Sequence, residues 1–311
     1  MNAQNVNNAA IFLLQPVGAR TVGHGETAVA DTLLGTEGLW WNPAGMARNR
    51  KREFAVHHTQ GVFFSTTDLL AVTIPSRALG TIGAGYFLQQ YENTPATNGE
   101  GAETGVNTNK YHVLNAGYAT PVGKRLSAGV TAKLILIRFL CNGICDATIN
   151  PQFIGNATAF DVGAQYTLPT RLPVTLGASL RNVGSKLRAR DREQADPLPK
   201  IIQVGARASL PFAGLAKRST TLEVMTDVVQ SDAYASPSIR FGADLSYKGN
   251  YTVRAGYKAL SASDGTEKGL TAGFGFRYNS IQLDIARRFD ETTANLGSTS
   301  PPTYISLRFV F

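Results

Sequence analysis

From Glu53 to the last residue, apolar and polar side chains alternate with a period of two, segment after segment. In residues 238–247, Ile239, Phe241, Ala243, Leu245 and Tyr247 share one face, and Ser238, Arg240, Gly242, Asp244 and Ser246 the other. Leu270, Ala272, Phe274, Phe276 and Tyr278 alternate with Thr271, Gly273, Gly275 and Arg277. Successive side chains of a strand point to opposite faces, so each segment predicts a strand with one apolar and one polar side. About fourteen such segments have the length a membrane strand needs. The last eight residues close the series, with Ile305, Leu307, Phe309 and Phe311 on one face and Ser306, Arg308 and Val310 on the other. A soluble sheet can also end this way. The serial repetition, with almost no helical period after residue 52, predicts an all-β fold: a transmembrane antiparallel β-barrel of about 14 strands.

The connections carry independent information. Short links at 75–80, 121–125, 169–173, 211–218, 248–250 and 279–280 take turns with longer polar ones at 92–109, 141–156, 183–199, 228–237, 260–268 and 290–303. Outer-membrane barrels sort their turns in this way, tight on the periplasmic side and long outside. Tyr118, Tyr166, Tyr247, Tyr251 and Tyr278 all lie near the short links. In a closed barrel they would ring one bilayer interface. A hydrophobic fraction of 43% would also pass for a soluble protein, but only alternate residues of such a wall meet lipid. No uncharged apolar run reaches the roughly 18 residues of a spanning helix. The net charge of +8 is spread over single inward positions and two clusters rather than one stripe, which argues against nucleic acid. Met1–Gln15 lacks the pattern of a signal peptide, so an exported chain would be a mature form or have another start.

The inward positions read as a polar lumen: Lys133, Asp161, Arg181, Arg207, Glu223, Asp227, Arg240, Asp244, Arg254, Lys258, Arg277, Asp284, Arg288 and Arg308. Both signs are present, and pairing across neighbouring strands is favoured over a selectivity filter. His24, His57, His58 and His112 form no metal-ligand or triad pattern, so no catalytic group, metal or cofactor is expected. Cys141 and Cys145 flank three residues of a predicted external link; a local disulfide is the first expectation and two free thiols the alternative.

The segment before the first strand has no alternation. We divide the chain into a tail over 1–15, a plug segment over 16–52 and the barrel over 53–311. Gly18-Ala19-Arg20 and its small-residue neighbours lead to a short helix over 33–39 and then to Trp40, Trp41, Asn42, Pro43, Ala44 and Gly45. Pro43 fixes its own φ and biases Asn42 away from helix. Such a segment fits inside the barrel mouth, or forms an ordered periplasmic extension. Together with 176–184, Asp196-Pro197-Leu198-Pro199, 254–258 and 270–275, these motifs resemble the PorV/PorQ family of FadL-like outer-membrane barrels, across roughly residues 12–311. The turn at 32–37 departs from the family's acidic, Ala-rich pattern. The resemblance implies fourteen strands with the N-terminal segment inside, and location in the bacterial outer membrane among lipid and lipopolysaccharide. It also implies one of two roles. One is docking of exported cargo or secretion-system subunits in type IX secretion, and the other is passage of hydrophobic small molecules through a lateral opening. A purely structural barrel is a third alternative. Few inward positions are apolar, namely Phe87, Ile137 and Phe139, so the residues lean toward docking. The basic run Lys186, Arg188, Arg190 and Arg192 is the candidate partner loop.

Overall fold

A computed structural model describes residues 8–61, 64–143, 152–189, 195–210, 219–233, 236–260, 268–290 and 301–311. Among these residues, seventeen strands follow an N-terminal segment of short turns. They are β1 (Glu53–Gln60), β2 (Thr66–Ser76), β3 (Gly80–Gln90), β4 (Thr94–Thr97), β5 (Glu103–Val122) and β6 (Leu126–Gly143). Next come β7 (Gln152–Thr167), β8 (Val174–Gly184), β9 (Leu187–Ala189), β10 (Ala195–Asp196), β11 (Ile201–Leu210) and β12 (Thr220–Ser231). The series ends with β13 (Ser238–Tyr247), β14 (Tyr251–Leu260), β15 (Gly269–Tyr278), β16 (Ile281–Asp290) and β17 (Thr303–Val310). Each strand of the wall pairs antiparallel with its neighbours, and β1 pairs with both β2 and β17. The result is a closed 14-stranded barrel, with β4, β9 and β10 as short additions beyond the wall. Closure removes the unpaired edge that an open sheet would present.

The seam is continuous. Eight residues of β1 run opposite β17, from Glu53↔Val310 to Gln60↔Thr303. Below it, the Arg52 and Phe311 amides each donate to the other's carbonyl, at 2.9 and 3.0 Å. Both ends of the wall therefore lie on the short-link side. The alternation holds in space. Phe241, Leu245, Val253, Leu270, Phe274, Leu283, Ile285 and Ile305 are exposed on the outer face, while Arg240, Asp244, Arg254, Asp284 and Arg308 are buried within. A contiguous exposed apolar band of this kind has no place in water and matches a lipid surface. The five tyrosines sit at its short-link margin, all exposed, with Tyr247 opposite Tyr251 across the 248–250 turn.

Several strands run further than the composition suggests. Pro75 and Pro121 fall inside the ends of β2 and β5 rather than in links, near strand termini, where the missing amide disrupts little of the ladder. Cys141 lies in β6, opposite Asn107, not in a loop, because β5 and β6 continue as a hairpin beyond the wall. The long link after β8 is likewise partly strand: β9 pairs with β7 and β10.

The interior is filled by the N-terminal segment: a 3-10 turn at Ile11–Leu14, the short helix α1 (Ala19–Gly23), and 3-10 turns at Gly35–Leu39 and Pro43–Met46. Inward glycines let its backbone touch the wall. A Cβ on Gly177 would collide with the Val29 carbonyl, one on Gly163 with Asn42, and one on Gly256 with the backbone of Gly25. Gly177→Val should therefore leave the barrel closed, as judged by heat-modifiable migration in gels. It should destabilise the packed segment by about 1–3 kcal/mol, read as earlier exposure of Trp40 and Trp41 to acrylamide in urea. Unchanged quenching would show that the segment does not rest on Gly177.

Candidate functional site

The Trp-Trp-Asn-Pro motif is the hub of the buried segment. Asn42 is extended, at φ −150°, as a residue before proline should be. Its Oδ1 accepts from the Ala44 amide at 3.1 Å, capping the Pro43–Met46 turn, and its Nδ2 donates to the Val29 carbonyl at 2.6 Å. Pro43, Ala44 and Gly45 are buried, and their turn packs against β5, β6 and β7. The indole nitrogens of Trp40 and Trp41 donate to the Gln15 and Val17 carbonyls at 3.0 and 2.9 Å. Lys133 Nζ lies 5.1 Å from the Trp40 ring centre, and the Arg181 guanidinium the same distance from that of Trp41. Arg181 also donates to the Trp40 carbonyl at 2.9 Å.

The lumen charges form one mesh between the wall and this segment. Lys133 pairs with Asp161 at 2.6 Å across β6 and β7. Asp284 receives Arg254 and Arg308, each at 2.8 Å, and Arg254 reaches Asp244 at 3.4 Å. Arg207 holds Glu223 and, at 2.6 Å, Asp31 of the N-terminal segment. Asp31 is bound from within the segment by Arg20 at 2.7 Å. Glu26 faces cations from three strands: Arg240 at 2.9 Å, Lys258 at 3.6 Å and Arg288 at 3.7 Å. Arg277 stays exposed at the short-link rim and donates to Gln282 at 2.8 Å.

Cross-strand pairing thus accounts for Asp161, Glu223, Asp244 and Asp284, but Glu26 and Asp31, together with Arg20, went unrecognised from sequence. A signal was present: Lys and Arg outnumber Asp and Glu among the inward wall positions. A buried cationic excess requires acids from elsewhere in the chain. Burial alone would raise the Glu26 carboxyl, but Lys258, Arg240 and Arg288 more than offset this and bring it down to about 2.

Toward the long links, the inner wall of β2, β3, β5 and β6 turns apolar. Leu69, Phe87, Val113, Ile135 and Ile137 line an apolar chamber that Phe12, Leu13 and Trp40 fill. Phe87 stacks on Trp40 at 4.5 Å and Phe12 on Tyr111 at 4.7 Å between ring centres. One side of this chamber coincides with an interruption of the wall. The β7–β8 register shifts between Phe160 and Val162, Asn182 takes a left-handed φ of 61°, and β8 pairing with β11 ends at Arg181↔Ile201. Beyond that point the gap is spanned by the Asn182 side chain, which donates to the Pro199 carbonyl at 2.9 Å. Toward the short links, two adjoining cavities of about 280 and 220 Å³ share Leu33, Arg277, Gln282 and Arg308.

Lys186 and Arg188 are exposed, and between them Leu187 is buried in the apolar cluster. Arg190, Arg192 and Cys145 lie outside the described residues. No metal-binding group of His, Cys, Asp or Glu occurs among the described residues.

No protein-family model matches the chain, and no curated protein matches it in sequence. Solved structures do. The CymD monoaromatic hydrocarbon channel is similar with a TM-score of 0.65 at 14% identity, over 95% of this chain and 98% of that one. The Ralstonia pickettii toluene transporter TbuX has a TM-score of 0.61 at 14% identity, over 99% of both chains. A Pseudomonas aeruginosa FadL homologue has a TM-score of 0.53 at 13% identity, over 96% of this chain and 98% of that one. The fold is that of the FadL-like barrels. At these identities the likeness is one of fold and does not extend to the PorV/PorQ branch.

Glu26→Gln leaves Arg240, Lys258 and Arg288 without their shared acid. It should weaken anchoring of the N-terminal segment by about 3–5 kcal/mol, measured as the urea midpoint for quenching of Trp40 and Trp41. A carboxyl held below its ordinary 4.5 contributes stability that is complete above that value and is lost as pH falls toward about 2. The wild-type midpoint should therefore hardly change from about pH 8 to about pH 5 through this group and fall below that range. The glutamine variant should lack that component of the fall.

Proposed function

We propose that this chain is a bacterial outer-membrane barrel that admits hydrophobic small molecules passively, with residues 16–52 as its plug. One observation carries this: an apolar chamber on the long-link side, closed by the chain's own Phe12 and Leu13. Phe12 is held there by aromatic stacking and apolar packing, and so offers a contact that an apolar ligand reproduces. A small hydrocarbon entering from the long-link side would displace Phe12 against Phe87 and Tyr111. The plug would remain fixed by Asp31 toward the short links and by Glu26 against β13, β14 and β16, on the wall opposite Phe12. The interruption beside Asn182 adjoins the chamber and is the exit route we favour. The channel and transporter with which this chain shares its fold are named for monoaromatic hydrocarbons and toluene, and that supports the same substrate class.

The test is uptake of a radiolabelled monoaromatic hydrocarbon or long-chain fatty acid by proteoliposomes holding the purified barrel. Wild type should accelerate uptake. Phe87→Asp should abolish the effect, since an unpaired carboxylate in the chamber costs several kcal/mol. Oxidised Asn182→Cys/Pro199→Cys should slow uptake if the gap is the route, and full flux through the cross-linked barrel would exclude it. No acceleration by wild type for either solute would sink the transport reading.

Docking of exported protein is the second reading, favoured by the exposed Lys186 and Arg188. Serine at Lys186, Arg188, Arg190 and Arg192 would then weaken retention of exported cargo at the cell surface and leave hydrocarbon uptake intact. We also propose a disulfide between Cys141 and Cys145, on the long-link side of the hairpin. Its stabilisation should be about 2 kcal/mol for so short a loop. Two alkylatable thiols in the unreduced protein would count against it.

A further inference from the structure

Most charges on this barrel point inward, which makes a directly opposed cationic pair on its outer face conspicuous. Lys110 on β5 and Arg138 on β6 stand directly opposite each other in the ladder, and both are exposed. Their outward direction follows from the alternation: Val113, Ile135 and Ile137 are buried inside, while Leu114 and Leu134 are exposed outside. Directly opposed residues hold their Cβ atoms about 4.5–5.5 Å apart, and like charges there repel. Nothing on the flanking strands relieves them. Gln90 of β3 is opposite Lys110, and Ile154 of β7 is opposite Arg138. No ion pair among the described residues joins either one to an acid. The outward charges of β1 and β2 behave differently: His58 and Asp68 satisfy each other at 2.7 Å.

Position along the strand identifies what would meet the pair. Tyr118 marks the short-link margin of the apolar band, and the outward residues above it on β5 are Ala116, Leu114, His112 and then Lys110. That separation is about 26 Å along the strand, or roughly 20 Å across a bilayer at the usual tilt. This is close to the ~25 Å height of such a band. Lys110 and Arg138 therefore sit at the headgroup level of the opposite leaflet. Just below them His112, opposite Leu136, bonds the Tyr86 hydroxyl at 2.7 Å, a polar pair at the same boundary, and lower still Leu114 and Leu134 give an acyl-chain surface.

We propose that Lys110 and Arg138 form a site for a phosphate of a phosphorylated glycolipid headgroup in the outer leaflet. The phosphate would lie between the two cations, receiving charged hydrogen bonds from both. The assignment rests on the outer-membrane reading given above, which fails separately if the wild-type barrel does not insert into phospholipid vesicles.

The test uses the purified full chain in detergent, titrated with bisphosphorylated lipid A, dephosphorylated lipid A and inorganic phosphate, with native mass spectrometry as readout. Wild type should bind the phosphorylated lipid about tenfold or more tightly than the dephosphorylated one. Lys110→Ser/Arg138→Ser should lose that preference, and Lys110→Arg/Arg138→Lys should keep it. Heat-modifiable migration verifies each barrel, with Arg138→Gln alone as the milder variant should the double one not fold. Undiminished preference in the serine variant would overturn the proposal. So would equal binding of the two lipids by wild type, or displacement of the lipid by inorganic phosphate at comparable concentration, which would indicate a site for the free anion.

Discussion

The contact between Glu26 and its three cations, Arg240, Lys258 and Arg288, is the one on which much else depends. A barrel wall facing lipid must put its charges inside, and here those charges are predominantly positive. Left alone, a lumen lined by Arg and Lys would have to hold water and counter-ions. The N-terminal segment supplies the missing acids, so wall and segment neutralise each other. Buried pairs of this kind contribute little net stability, because desolvation cancels most of the Coulombic gain. What they determine is position: any other placement of the segment strands a charge. Asp31 repeats the device further along the chain, between Arg20 and Arg207.

Glycine provides the steric counterpart. Charges could not meet at these distances if every inward position carried a side chain. At Gly129, Gly163, Gly177, Gly242 and Gly256 the segment's atoms occupy the space a Cβ would take. Inward-facing glycine is otherwise a poor choice for a strand, since it packs nothing and raises the entropy lost on folding. Its recurrence opposite the segment shows that close backbone approach outweighs that cost.

Much of this was legible in the sequence, and the part that was not has a physical explanation. Alternation in 238–247 and 270–278 marked wall, inner face and outer face, because lipid and lumen demand opposite chemistries there. The apolar chamber was largely hidden: sequence reasoning picked out Phe87 and Ile137 but missed Leu69, Val113 and Ile135. In Leu134-Ile135-Leu136-Ile137, as in Tyr86-Phe87-Leu88 and Val113-Leu114, both faces are apolar, so the period of two disappears. Loss of alternation within a wall strand was itself the sign of an apolar lumen. The inclination toward docking followed from that omission, and the chamber moves the weight to transport. The partners of Arg207 and Arg240 were illegible for another reason. Asp31 and Glu26 lie 176 and 214 residues away, in a segment with no periodicity to orient it.

The two halves of the interior now have distinct physical characters. Against the wall from β11 to β17, directional ion pairs hold the segment in one register, and an apolar solute offers nothing to replace them. Against β3 and β5, Phe12 is retained by stacking and by exclusion from water, forces that are non-directional and available equally to a hydrocarbon. Competition for the interior is therefore confined to one side of the barrel. A solute can exchange with Phe12 without disturbing Glu26 or Asp31, so the lumen can open locally while its charges stay paired. A segment held by apolar packing throughout would lack this division, since a solute able to displace one part could displace the rest.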